Sequence, residues 1–255
     1  PHHVMGVSGG VKTVAIGLAG RQTITINHGK LTHPQAQSGV YYMNPMRQDL
    51  EEIGKKIQIH FTLGSIINEE KQIIDVFWGD PAAVMKAALP KVRQIFGKTV
   101  AEPYDLVIAS PGGHPKEINL YQAQKGLTHA ARITKDDGWV VLLAACPEGS
   151  GSQGYEDYIK KAKSHEGIIH HFRNGYFKVG PHKAFQIARE ALRVNIIFVS
   201  DLPAKKVKNW KLTPSRPKLI DPLLEWLLDN LPPNPRIALL PAATRTMTEV
   251  RNDRK

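Results

Sequence analysis

Two kinds of hydrophobic spacing divide the chain near residue 104. Ahead of that point, NPMRQDLEEIGKKI (44–57) carries its acids early and its lysines late, which suits a helix dipole and predicts a helix. IQIHFTLGSIINEEKQIIDVFWG (57–79) has two β-branched runs parted by the polar Asn68-Glu69-Glu70-Lys71, the pattern of a β-hairpin. Asp80-Pro81 then offers an N-cap and a first-turn proline for a helix running to Phe96. QTITINHGK (22–30) fits a strand or a short helix. Pro1 to Gly20 reads as a small, flexible loop leading into a short apolar segment, and GKTVAEPYD (97–105) as a linker.

Beyond 104 the pattern changes to short apolar runs alternating with helical stretches. YDLVIAS (104–110), GWVVLLAA (138–145), VNIIFVSD (194–201) and RIALLPAA (236–243) read as buried strands. Helices are expected over 117–133 and 181–193, and over the amphipathic DPLLEWLLDNL (221–231), which Pro232-Pro233 stops. This alternation predicts a mainly parallel sheet covered on both faces. The expected fold is thus α/β with two domains: residues 1–103 as a cofactor or catalytic domain, and 104–255 as a Rossmann-like domain.

Composition narrows the function classes. Hydrophobic residues make up 42% of the 255 and charged residues 22%, as in globular proteins. No apolar run is long enough to span a bilayer and no signal-peptide pattern is present, so no membrane association and a cytoplasmic location are expected. The single cysteine, Cys146, rules out an intrachain disulfide. The formal net charge of +11 points to an anionic partner. Its lysines and arginines are spread out, clustering only near 205–211 and at Arg251–Lys255, without basic–aromatic interleaving. A phosphorylated cofactor or a carboxylate substrate accounts for part of the charge as well as nucleic acid would, and no nucleic-acid partner is expected.

Local chemistry is less specific. SPGGHPKEIN (110–119) follows a strand, where an α/β sheet gathers ligands, and is either an anion-binding loop or a plain tight turn. At 100° per residue, Leu120, Ala123, Leu127, Ala130 and Ala131 share the core face of the next helix. Gln122 and Lys125 fall together on the other side with Tyr121 at the edge, forming either a solvated face or a carboxylate clamp. His28 is a metal-ligand candidate, but no His-Glu-x-x-His accompanies it.

In combination these segments resemble the nickel-dependent lactate racemase family. The family pattern of a histidine, three residues and Gly-x-Ser-Gly-Gly-x-Lys is met by His2, Gly6, Ser8, Gly9, Gly10 and Lys12. Asn27-His28 follows at the family's distance, then Ser110–Lys116, Asn119–Lys125, Cys146–Gly149 and Gly180–Ala184, so the resemblance spans nearly the whole chain.

The resemblance implies a 2-hydroxy-acid racemase or epimerase, with lactate the first substrate candidate. The cofactor implied is a nickel pincer nucleotide, pyridinium-3,5-bisthiocarboxylic acid mononucleotide, held as a thioamide on Lys12 with Ser8, Gly9 and Gly10 around it. His28 would be the protein ligand to nickel and His2 a catalytic base, while Tyr121, Gln122 and Lys125 would bind the substrate. Hydride would pass to the cofactor and return through a 2-keto acid. The family also has a further N-terminal portion, with a second histidine and a substrate arginine. On that expectation the chain is truncated, needs its missing N-terminal portion as a partner, and alone is either inactive or a non-catalytic holder of part of the cofactor site. Phe185 stands where a larger aromatic is expected, which would alter substrate preference.

Overall fold

The computed structural model describes residues 1–68 and 70–251. The chain divides into two compact units, Pro1–Gly97 and Lys98–Lys255, with the division inside the stretch read as a linker.

The first unit begins with a folded segment rather than a flexible loop. Val4, Met5, Val7 and Val11 are all buried, because this apolar spacing supplies part of the unit's core. The segment leads into α1 (Lys12–Gly17). The ambiguous run at 22–30 is helical, α2 (Arg21–Gly29). Its buried Asn27 donates to the Met46 carbonyl at 2.9 Å and to Asp49 Oδ2 at 2.8 Å, both on α3 (Pro45–Lys56). That tertiary anchorage selects the helix. Asn44 caps α3 by accepting from the Met46 and Arg47 N–H groups at 3.1 and 3.3 Å. The expected hairpin is β1 (Thr62–Ile67) antiparallel to β2 (Ile73–Gly79); of its turn, Glu69 lies outside the described residues, as do residues 252–255 of the basic C-terminal cluster. A two-stranded ribbon is marginal alone, and α4 (Pro81–Phe96) packs against both strands. Asp80 caps α4, accepting from Ala83 N–H at 2.9 Å.

In the second unit, β3 (Gly97–Val100) is a strand where a linker was expected, because it pairs with β9 (Met247–Val250) far along the chain. The main sheet comprises β4 (Tyr104–Ala109), β5 (Thr134–Leu143), β6 (Asn195–Val199), β7 (Thr213–Ser215) and β8 (Ile237–Leu240). Its order is β7-β6-β5-β4-β8 and every pairing is parallel, as the alternating pattern predicted. One face, with Leu106, Val141, Ile197 and Val199, packs on Leu227 of α10 (Ile220–Asp229). Helix α5 (Leu120–Ala131) packs on β4 and β5, and on α8 (His182–Ala191). The predicted α5 core face is buried at every position, from Leu120 to Ala131. Helices α6 (Gln153–Lys161), α7 (His165–Arg173) and α9 (Ala204–Asn209) complete the unit. α7 places the His170–His171 pair in its last turn.

His129, 1% exposed on α5, gives the fold a pH dependence. Burial first, and the Arg132 charge second, hold its pKa at about 3, below the ordinary histidine value. The unfolded chain therefore binds a proton that the native chain refuses. This stabilisation is complete above pH ~6.5 and is lost as pH falls toward 3, at up to about 1.4 kcal/mol per pH unit. Urea midpoints of the wild-type chain should decline below pH ~6.5, and His129→Gln should flatten that decline. Equal slopes in the two proteins would refute this origin.

Candidate functional site

The first unit carries His2, Ser8, Gly9, Gly10 and Lys12 on its opening segment and the start of α1, and His28 on α2. The opening segment is pinned by α3, where Asn44 Nδ2 donates to the Val4 carbonyl at 2.8 Å and Arg47 Nη1 to those of Val7 and Gly9 at 3.2 and 3.1 Å. Gly9 and Gly10 then turn with φ of +94° and +59°. A Cβ on Gly10 would meet Met85 Cγ at 2.8 Å, so this turn needs glycine both for its dihedral and for the close approach of α4. Lys12 follows as the first residue of α1. Burial first, and the Arg47 charge second, push its pKa below the ordinary lysine value. Its amine thus reaches the neutral, nucleophilic form at lower pH than a solvated lysine.

His2 and His28 are each oriented by backbone. His2 Nδ1 accepts the Met5 N–H at 3.0 Å, so the neutral ring carries its proton on Nε2. His2 also forms a bridge with Gly6, and its ring stacks on buried His3 at 4.9 Å. His28 Nδ1 lies 3.0 Å from the Ile24 carbonyl, which can only accept. That contact puts the proton on Nδ1 and the lone pair on Nε2, the tautomer of a metal-ligating histidine. Asn27, one residue before, is the anchor that fixes α2 on α3. The two residues of the Asn-His pair therefore have separate tasks.

In the second unit, the motif segments 110–119, 146–152 and 180–184 converge beside the carboxyl ends of β4 and β5. Tyr121 N–H donates to the Ser150 carbonyl at 3.1 Å and Leu120 N–H to that of Gly149 at 2.9 Å, fastening the α5 start to the loop after β5. Gly151 has φ +70°, and a Cβ there would strike the Asn119 side chain at 2.3 Å. Asn119 is the α5 cap, accepting from Gln122 N–H at 3.1 Å. The loops after β4 and β8 are joined too, with Thr244 Oγ1 donating to the Pro111 carbonyl at 2.7 Å.

On α5, Lys125 Nζ donates to Gln122 Oε1 at 2.5 Å, so the three-residue spacing does bring the two together. Tyr121 meets His182 edge-on at 5.7 Å, and buried Lys183 places Nζ 4.4 Å from the centre of the Tyr121 ring. Burial raises the pKa of the Tyr121 phenol, keeping it neutral. Lys183 also donates to Gln186 Oε1 at 3.0 Å; burial first, and the Lys125 charge second, push its pKa well below the ordinary lysine value. Phe185 is buried against Phe172, with ring centres 5.5 Å apart.

Arg47 escaped the sequence reading, and Lys183 entered it only within the family segment Gly180–Ala184, without a role of its own. For Arg47 a signal existed, since it shares a helical face with Leu50 and Gly54 at spacings of three and seven, and Glu51 follows one turn later. For Lys183 the motif segment was a signal of position only, because its burial depends on α5 packing over α8.

Among the described residues no three His, Cys, Asp or Glu side chains group as a metal site. A Lys12 amine whose pKa is lowered by burial and by the Arg47 charge fits a covalently tethered group.

The lactate racemase N-terminal domain profile matches residues 1–39, and the lactate racemase C-terminal domain profile matches residues 99–223. A lactate racemase of Thermoanaerobacterium thermosaccharolyticum is 30% identical over 222 residues, covering 85% of this chain and 52% of that protein. One of Lactiplantibacillus plantarum is 30% identical over 206 residues, covering 79% of this chain and 48% of its own. The chain thus spans about half the length of the curated relatives it matches. Among solved structures, the lactate racemase apoprotein of Thermoanaerobacterium thermosaccharolyticum matches with a TM-score of 0.91 and 28% identity, over 99% of this chain and 61% of that one. A Thermotoga maritima protein shares the fold, with a TM-score of 0.67 and 16% identity. Profiles for two domains of one enzyme match in order at the two groups of motif residues, and a solved lactate racemase shares the fold along nearly the whole length: the chain belongs to the lactate racemase family.

Proposed function

We propose that this chain carries the tether, metal-ligand and substrate-carboxylate residues of a 2-hydroxy-acid racemase or epimerase, lactate being the first substrate candidate. The observation that carries the reading is the electrostatics of α5 and α8. Lys125 lies close enough to buried Lys183 to oppose its protonation, and an anion beside both would relieve that repulsion. A small carboxylate supplies such an anion. Lys125 pairs with it, while Gln122, whose oxygen is engaged by Lys125, turns its amide N–H groups to a substrate oxygen.

The group that fits Lys12 and His28 is a nickel pincer nucleotide, which when bound supplies a hydride acceptor for the substrate α-carbon and makes a planar 2-keto acid accessible from either face. Lys12 would hold that group covalently through its amine. His28 would offer Nε2 as the protein donor to nickel, its Nδ1 being held by the Ile24 carbonyl. His2 handles the proton on the substrate oxygen. With Nδ1 accepting from Met5, its neutral ring donates from Nε2, the arrangement for returning a proton to the keto oxygen. To act as base at Nε2, the ring must first release that backbone contact and shift its proton to Nδ1.

Production of the chain alongside the enzymes that build the cofactor tests the reading. Intact mass and metal analysis should find a mass gain localised to the Lys12 peptide, with nickel in equimolar amount. A chain that stays unmodified in cells where a family relative becomes loaded would overturn it.

A further inference from the structure

Arg47 is fully buried and every part of its guanidinium faces an identifiable neighbour. Nε donates to Glu51 Oε1 at 2.7 Å, and Nη1 donates to the carbonyls of Val7 and Gly9. The group lies 4.9 Å from the centre of the Tyr41 ring, whose hydroxyl donates to the same Glu51 oxygen at 2.7 Å. Nη2 is 2.6 Å from Glu51 Oε1 but has no hydrogen-bond geometry to any described residue. It borders Gly10, where a Cβ would come within 3.0 Å of it. A buried ion pair is a poor source of stability compared with apolar packing. This one instead holds the backbone on both sides of Ser8, directly ahead of Lys12.

We propose that Arg47 is the positioning residue that prepares Lys12 for acylation: its guanidinium pins the Val7 and Gly9 carbonyls, which sets where α1 begins, and stands as a fixed positive charge beside the amine. The inference rests on the tether role given to Lys12 above. Burial and this charge both disfavour the Lys12 ammonium, burial being the larger cause. Other charges do not cancel the effect. Glu51 on α3 is engaged by Arg47 and Tyr41, α1 has no acid in its first turn, and α4 meets the Gly10 turn with the uncharged Met85. The acylation is balanced without an oxidant. Lys12 Nζ attacks the carbonyl carbon of a thiocarboxylic acid, and the N–C bond forms as the C–O bond breaks. The oxygen leaves as water with one proton from the amine and one from the thiol, and sulfur stays double-bonded to carbon in the thioamide.

The test reads Lys12 without the cofactor. Competitive acetylation with acetic anhydride across a pH series, with mass spectrometry of the Lys12 peptide, gives its reactivity relative to exposed lysines of the same digest. In the wild-type chain the Lys12 curve should rise at lower pH than theirs. Arg47→Gln should move it to higher pH and reduce the Lys12 adduct when the cofactor is supplied, whereas Arg47→Lys, which keeps the charge, should retain the low curve. Circular dichroism verifies folding. If Arg47→Gln fails to fold because half-buried Glu51 loses its cationic partner and keeps only the Tyr41 hydroxyl, the double variant Arg47→Gln/Glu51→Gln removes both charges and is read in the same way. An unchanged Lys12 curve in a folded Gln variant overturns the proposal. A wild-type chain that takes up no cofactor yet shows the Arg47-dependent curve removes the tether reading and upholds the effect of Arg47 on Lys12.

Discussion

Lys12→Ala should eliminate the covalent mass gain and reduce racemisation about 10⁴-fold or more relative to the loaded wild-type enzyme, the scale on which loss of one member of a catalytic unit acts. Lys12→Arg should fail equally, and for an informative reason. Arginine keeps the positive charge and the long stem but stays protonated, so it has no lone pair with which to form a thioamide. Thermal unfolding separates this loss from misfolding. The native surroundings oppose the Lys12 ammonium through burial and through Arg47, so removing the side chain should leave the midpoint unchanged or slightly raised. The pH dependence of loading follows the same sign. The amine must be neutral to react, so loading should increase with pH and begin below the range of a solvated lysine. Normal mass gain in Lys12→Ala would end the tether assignment.

Lys125→Met should carry the next largest effect, lowering kcat/KM for the 2-hydroxy acid roughly 10²- to 10³-fold, because a charged hydrogen-bonded partner of the substrate carboxylate is worth about 2–5 kcal/mol. Gln122→Ala removes a neutral amide and should cost about tenfold. The two losses should not add, since the side chains hold each other at 2.5 Å and each variant releases the other. The substitution has a second readout. With the Lys125 charge gone, Lys183 should regain basicity, because that charge is one of the causes that depress it. Unchanged kcat/KM in a folded Lys125→Met enzyme would remove the carboxylate role.

The same residues explain why the candidate site was only partly legible beforehand. Lys125 and Gln122 could be placed on one face from helical spacing alone, but spacing could not separate a solvated face from a clamp. The decisive neighbour, Lys183, comes from a helix far along the chain and acts only once α5 packs on α8. Likewise, the family resemblance pointed to Lys12, while helical spacing could place Arg47 on the buried face of α3 but not show that its guanidinium reaches back to the Val7 and Gly9 carbonyls.

By itself the sequence determined the elements whose causes lie within a few residues: the Asp80 cap and Pro81 that start α4, the helix α3 with its late lysines, the two β-branched runs of the β1–β2 hairpin and the buried face of α5. Capping bonds and side-chain periodicity operate over one or two turns, so they can be read along the chain. Tertiary structure decided the rest. It made residues 21–29 a helix through Asn27 bonding to α3, turned part of an expected linker into β3 through pairing with β9, and buried the opening segment on an arginine of a later helix. In each case the stabilising partner lies distant in sequence, and a backbone with two acceptable local conformations adopts the one that a remote hydrogen bond satisfies.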